Sequence, residues 1–124
     1  MTGRVWKFGD DINTDLIAPG GATKEERIKR CMSANRPGWS SEVTPGDLLL
    51  AGFNFGTGSS RPAAQNFTDM GIQCVIAESV NGLFLRNSIN FGLPIFALPG
   101  ITAAFDELDE GEVDLEGARV RNLR

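Results

Sequence analysis

Residues 47–64 read DLLLAGFNFGTGSSRPAA, and this stretch decides the fold. Residues 47–51 form a short apolar run, the pattern of a strand buried on both faces. Gly56 and Gly58 then let the backbone turn sharply. Beyond Pro62, in the first turn of a helix, Ala63, Phe67 and Met70 recur at helical spacing, and Gly71 stands where a C-cap belongs.

Downstream the same succession repeats. Residues 74–77, CVIA, are a second continuous apolar strand, 82–89 a helix ended by Gly92, and 93–98 a further strand. Strand, helix, strand, helix, strand with short links implies right-handed crossovers and a mainly parallel sheet. The class is α/β. Upstream, the alternating run at 4–8 predicts a first strand stopped at Gly9, and a polar loop, GDDINTD, follows it. Residues 23–32 predict a helix with Thr23 as N-cap and Glu26 at capping-box spacing. The Ser-, Pro- and Gly-rich segment 33–47 reads as a loop, mobile in character. After Pro99 the run ITAAFDEL predicts a short helix, and Val113, Leu115 and Val120 around Gly117 a final hairpin. The triplet NFG occurs at Asn54 and at Asn90, an echo of turn chemistry rather than a repeat.

At 124 residues the chain has the size of one domain, residues 1–124. Hydrophobic residues at 41% and charged residues at 23% indicate an ordinary globular composition. A net charge of −4 argues against nucleic acid or an anionic membrane as partner, since both reward a basic face. No apolar run is long enough to span a bilayer, and the start MTGRVWKFGDD lacks the apolar core of a signal peptide, so the expected location is the cytoplasm. Cys31 and Cys74 stand far apart in a chain with no histidine, too few ligands for a metal or iron–sulfur site. Cys74, within CVIA, reads as a buried core thiol.

Residues 11–15, DINTD, alternate oxygen-bearing side chains as a calcium loop does. Leu16 stands where that loop needs glycine and Ala22 where it needs glutamate, so calcium is rejected, and a ligand-facing loop or a solvated turn remains. GTGSSR lacks the Gly-Lys-Ser/Thr ending of a phosphate-binding loop. Its serines precede a helix whose N-terminus favours an anion. Either serine also serves as a plain helix cap, which composition alone favours. Arg61 beside them, at the carboxyl end of a strand in an open α/β sheet, shifts the balance towards a ligand site.

FNFGTGSSRPAA, followed by VIAES and LRNSINFGLP, resembles the small subunit of 3-isopropylmalate dehydratase, the swivelling domain of the aconitase superfamily. The opening WKFGDDINTDLIAPG resembles that family's first strand and Asp-Thr-Asp loop, and the resemblance covers roughly residues 3–121. It implies a swivelling β/β/α domain that looks short at its C-terminus. It also implies one subunit of a hydro-lyase acting on a small hydroxy di- or tricarboxylic acid, the chemistry of leucine biosynthesis. By motif position Ser59 is the base, Arg61 binds a substrate carboxylate and Ser60 assists. Thr14 and Asp15 of the first loop and Lys24 beyond it are candidate substrate contacts. The resemblance places a [4Fe–4S] cluster on a separate large subunit, which makes a heterodimer, and none in this chain.

Two departures bear on the substrate. Pro62 and Ala63 replace the family's Glu-His pair, and the segment 20–24, GGATK, replaces a loop that normally carries an aromatic and an arginine. Lys24 and Arg27 could meet a carboxylate, although a solvated helix face accounts for both. Arg86 and Asn87 match the family as ligand contacts or as a helix anchor. Two other readings stay open: a non-catalytic swivelling domain that regulates a partner, and a free-standing anion-binding module.

Overall fold

The computed structural model describes residues 1–58 and 63–124. The apolar run becomes β2 (Leu48–Ala51), every residue of it buried, and CVIA becomes β3 (Cys74–Ala77), likewise buried throughout. With β1 (Thr2–Lys7) on one side and β4 (Ile95–Ala97) on the other they pair in parallel, in register Val5↔Leu48, Leu49↔Val75 and Ile76↔Phe96. The C-terminal hairpin, β5 (Glu110–Asp114) and β6 (Arg119–Asn122), continues the same sheet antiparallel to β1. The order is β4-β3-β2-β1-β5-β6, so the α/β class and the mainly parallel sheet hold.

Both faces of the sheet are covered, which is why β2 and β3 are apolar at every position rather than alternating. Leu49, Ala51, Val75 and Ala77 face the helices and meet Phe55, Phe67 and Trp39. Val5, Leu48, Leu50, Cys74 and Ile76 face the other way, against Ile101, Phe105 and Val113.

The predicted helices form as α2 (Lys24–Arg30), α4 (Ala63–Met70) and α5 (Gly82–Asn90). Thr23 caps α2, its hydroxyl accepting from the Glu26 amide at 3.1 Å, while the Glu26 carboxylate reaches back to the amide of Ala22. Two segments expected as loop carry further short helices. In the first, Asn13 accepts from the Asp15 amide at 2.8 Å and starts α1 (Thr14–Ile17). In the second, α3 (Trp39–Glu42) lies within 33–47, and that segment is anchored by Trp39, which is buried edge-on against Phe8 at 5.0 Å, Trp6 at 6.2 Å and Phe67 at 6.3 Å. The helix expected over 101–108 is only a 3₁₀ turn, Ile101–Ala104. Phe105 leaves it in an extended conformation, which puts both Ile101 and Phe105 into the second core. The NFG echo is not structural, since Asn90 ends α5 whereas Asn54 has a left-handed backbone.

Candidate functional site

In an open parallel sheet the loops at the carboxyl ends of the strands converge, and ligands bind there. Here the loops after β1, β2 and β3 are laced together. Gly56 donates to the Ile12 carbonyl at 2.8 Å and Thr14 to the Thr57 carbonyl at 2.7 Å, which joins the first loop to the second. Phe55 donates to the Ser79 carbonyl at 3.0 Å, and Asn81 to the Phe55 carbonyl at 2.8 Å, which joins the second to the third. Phe55 itself is fully buried, stacked on Phe67 and edge-on to Phe84.

The glycines of the motif serve close approach as well as turning. Gly58 has φ +89°, and a Cβ there would stand 2.8 Å from the Thr14 hydroxyl and 3.0 Å from the Asn13 side-chain oxygen. The DINTD loop and the end of FNFGTG therefore touch, although they lie far apart in the sequence. Thr14 is buried at this junction and Asp15 is exposed on the turn beside it. Ser59, Ser60, Arg61 and Pro62 lie outside the described residues. Ala63, the first residue of α4, is buried, and the positive end of that helix lies next to the motif in sequence.

The cations of α2 are engaged with α4. Lys24 is exposed and stands 4.0 Å from Asp69, near the C-terminal end of α4 and so away from the motif. Arg27 donates to the Asn66 side-chain oxygen at 3.0 Å, and the Asn66 amide in turn donates to the Ile17 carbonyl at 3.1 Å. Asn66 is fully buried, so Arg27 joins α2 to α4 and α1 rather than lying on a solvated face. Arg86 is exposed on α5, with Asn87 half-buried beside it.

Three features at this end of the sheet carried no local sequence signal. Asn54 donates its amide side chain to the Asp11 carboxylate at 3.1 Å and its backbone N–H to the Ser79 hydroxyl at 2.8 Å. Asp10 accepts from the Phe53 amide at 2.8 Å. Glu78, at the end of β3, accepts from the backbone amides of Gly100 at 2.6 Å and Thr102 at 2.8 Å and from the Thr102 hydroxyl at 2.8 Å. Those donors, the Thr102 and Gly100 amides foremost, hold its carboxyl below the usual range.

Burial pushes both thiols up, Cys31 to about 12 and Cys74 to about 12. The two lie in separate cores on opposite faces of the sheet, and two thiols so placed do not fit a [4Fe–4S] cluster, which is held by several converging thiolates. Among the described residues no group of three or more His, Cys, Asp or Glu is placed to hold a metal ion.

The family model for the aconitase C-terminal domain matches residues 12–99. Over 128 residues the chain is 44% identical to the isopropylmalate/citramalate isomerase small subunit of Methanocaldococcus jannaschii, covering 99% of this chain and 76% of that protein. It is 44% identical over 131 residues to the 3-isopropylmalate dehydratase small subunit of Nautilia profundicola, with 99% and 76% covered. To the methanogen homoaconitase small subunit of Methanothermobacter thermautotrophicus it is 41% identical over 128 residues, with 99% and 74% covered. The crystal structure of 3-isopropylmalate dehydratase from Methanocaldococcus jannaschii superposes with a TM-score of 0.83 at 36% identity, covering 96% of this chain and 73% of that one.

Proposed function

The chain belongs to the aconitase C-terminal domain family, and from that premise we propose that it is the small subunit of an aconitase-type hydro-lyase. Residues 1–124 then act as one swivelling domain that needs a large subunit. The observation that carries this reading is the match, over nearly the whole chain, to proteins named as small subunits of such enzymes. The contact of Gly58 with the Asn13–Thr14 turn supports it, because it joins the two motifs that the family uses.

The substrate is a small hydroxy di- or tricarboxylic acid. Ser59 takes the proton alpha to a carboxylate, and amides at the start of α4 stabilise the alkoxide that this requires once water is excluded. Arg61 grips a carboxylate by two parallel hydrogen bonds, Ser60 assists, and Asp15 and Thr14 of the first loop are the further substrate contacts. Lys24, held near Asp69, contacts substrate only if α2 shifts towards the motif. Ala63 stands buried where the family has histidine, so this chain itself offers no imidazole to relay the proton. The names of the three relatives point to more than one acid, two of them sharing isopropylmalate, and the 20–24 loop, which lacks the family's aromatic and arginine, is where this chain sets its own choice. The [4Fe–4S] cluster belongs to the partner, since the thiols of this chain do not fit it. Among the described residues no helix is long and apolar enough to cross a membrane, and we place the complex in the cytoplasm.

The test is the anaerobically purified complex of this chain with its large subunit, assayed for dehydration and for exchange of the substrate's alpha proton in heavy water. Ser59→Ala should lower both by roughly 10²–10⁴-fold, the range of a lost general base. Exchange at the normal rate in Ser59→Ala would remove the serine from that role. Full activity of the large subunit without this chain would make the chain regulatory instead of catalytic.

A further inference from the structure

Nine glycines of this chain have positive φ, and two of them, Gly56 and Gly58, shape the motif loop. Asp11 with φ +56° and Asn54 with φ +58° adopt the same left-handed conformation with side chains attached. That conformation is costly for a residue bearing a Cβ, and glycine adopts it freely. Asn and Asp adopt it more readily than other residues with a Cβ, yet glycine would meet the demand at least cost. Both residues use their side chains instead, and use them on each other: the Asn54 amide donates to the Asp11 carboxylate at 3.1 Å.

Asn54 also bonds in the opposite direction, its backbone N–H donating to the Ser79 hydroxyl at 2.8 Å. It therefore touches the loops after β1 and β3 while belonging to the loop after β2. Four residues separate it from Ser59, and three of them are pinned to the neighbouring loops: Phe55 to Ser79 and Asn81, Gly56 to Ile12, and Thr57 to Thr14. The left-handed turn at Asn54 sets where this pinned segment begins.

We propose that Asn54 is a positioning residue whose bond to Asp11 sets the spacing between the Asn13–Asp15 turn and Gly58, the last described residue before the motif's serines. The catalytic consequence rests on the function proposed above. Substrate would still bind through the carboxylate clamp, but the base and the substrate-reading loop would lose their relative placement. The loss thus falls on kcat more than on KM.

Asn54→Asp tests this, because aspartate tolerates the left-handed turn yet sets two carboxylates face to face and breaks the bond. In the complex with the large subunit, kcat should fall about tenfold with KM within about twofold, since small misplacements of reacting groups are costly. Asp11→Asn alone keeps an acceptor oxygen and should stay close to the parent. The double variant, Asp11→Asn with Asn54→Asp, restores the bond with donor and acceptor exchanged and should return kcat to within about twofold of the parent. Unchanged kcat in Asn54→Asp, or a loss that the exchanged pair does not repair, overturns the proposal.

Amide hydrogen exchange in the same complexes reads the bond without turnover. Gly56 and Asn81, whose amides bridge the loops, should exchange about tenfold faster in Asn54→Asp and recover in the double variant. A complex that dehydrates nothing yet shows this pattern would refute the functional reading and leave the positioning role intact. Unchanged exchange would refute the positioning role whatever the activity.

Discussion

At the scale of single residues, Gly58 decides how closely two motifs approach. Alanine there meets the Thr14 hydroxyl and the Asn13 side-chain oxygen at or below 3.0 Å, and it must hold φ at +89°. Gly58→Ala should therefore destabilise the chain by about 1–3 kcal/mol in urea unfolding and depress activity beyond that loss. Gly20→Ala is the matched control, since Gly20 also has positive φ but nothing within 4 Å, so its cost is strain alone. Equal effects of the two would mean that the contact with Thr14 and Asn13 is unimportant. What the sequence carried locally is a turn of glycines, adjacent hydroxyls and an arginine between an apolar strand and an apolar-striped helix, whereas the roles proposed for Ser59 and Arg61 come from the family resemblance and fall on residues outside the described ones. The Asn54–Asp11 bond was not legible. It depends on the parallel register of β1 against β2, and neither residue's neighbours carry any trace of it.

Among the elements, those with a repeat were readable and those held by a single anchor were not. β2, β3, α4 and α5 announce themselves through continuous apolar runs or helical spacing. α1 and α3 are four residues each, too short for a period, and they exist because Ile17 and Trp39 bury fully at their ends. ITAAFDEL has the composition of a helix, yet it stops after one 3₁₀ turn because Phe105 is drawn into the second core. That turn is held from another element, by the Glu78 carboxylate at the end of β3. Since the folded carboxyl titrates below its ordinary 4.5, its stabilisation is complete above 4.5 and is lost as the pH falls through the lower folded value. Glu78→Gln should accordingly be less stable than the parent at neutral pH, with the gap constant down to about 4.5 and closing in more acid solution. Urea unfolding across a pH series measures it, and a gap independent of pH would show that the carboxylate charge is not what holds the turn.

For the molecule as a whole, one sheet separates two cores, and each core keeps one thiol away from solvent. Cys31 is fully buried among the aromatic residues on the helical side, and Cys74 is fully buried on the other. With their ionisation pushed up to about 12, almost no thiolate exists at neutral pH. A thiol reagent should react with either only when the fold opens, at a rate set by unfolding rather than by reagent concentration. The same isolation bears on the proposal that a [4Fe–4S] cluster is held by the partner alone. If this chain supplied one of its ligands, a cysteine would have to leave its core, which costs the apolar contacts around it. Replacing both, as Cys31→Ala with Cys74→Ala, removes two small buried groups and should cost about 1–2 kcal/mol of stability in all, within the usual range for core truncations. The complex with the large subunit should then keep its iron content and its turnover within about twofold, a difference well under one pKa unit of free energy. Iron lost from the purified complex in step with the cysteines removed would assign a ligand to this chain and would overturn the allocation of the whole cluster to the partner.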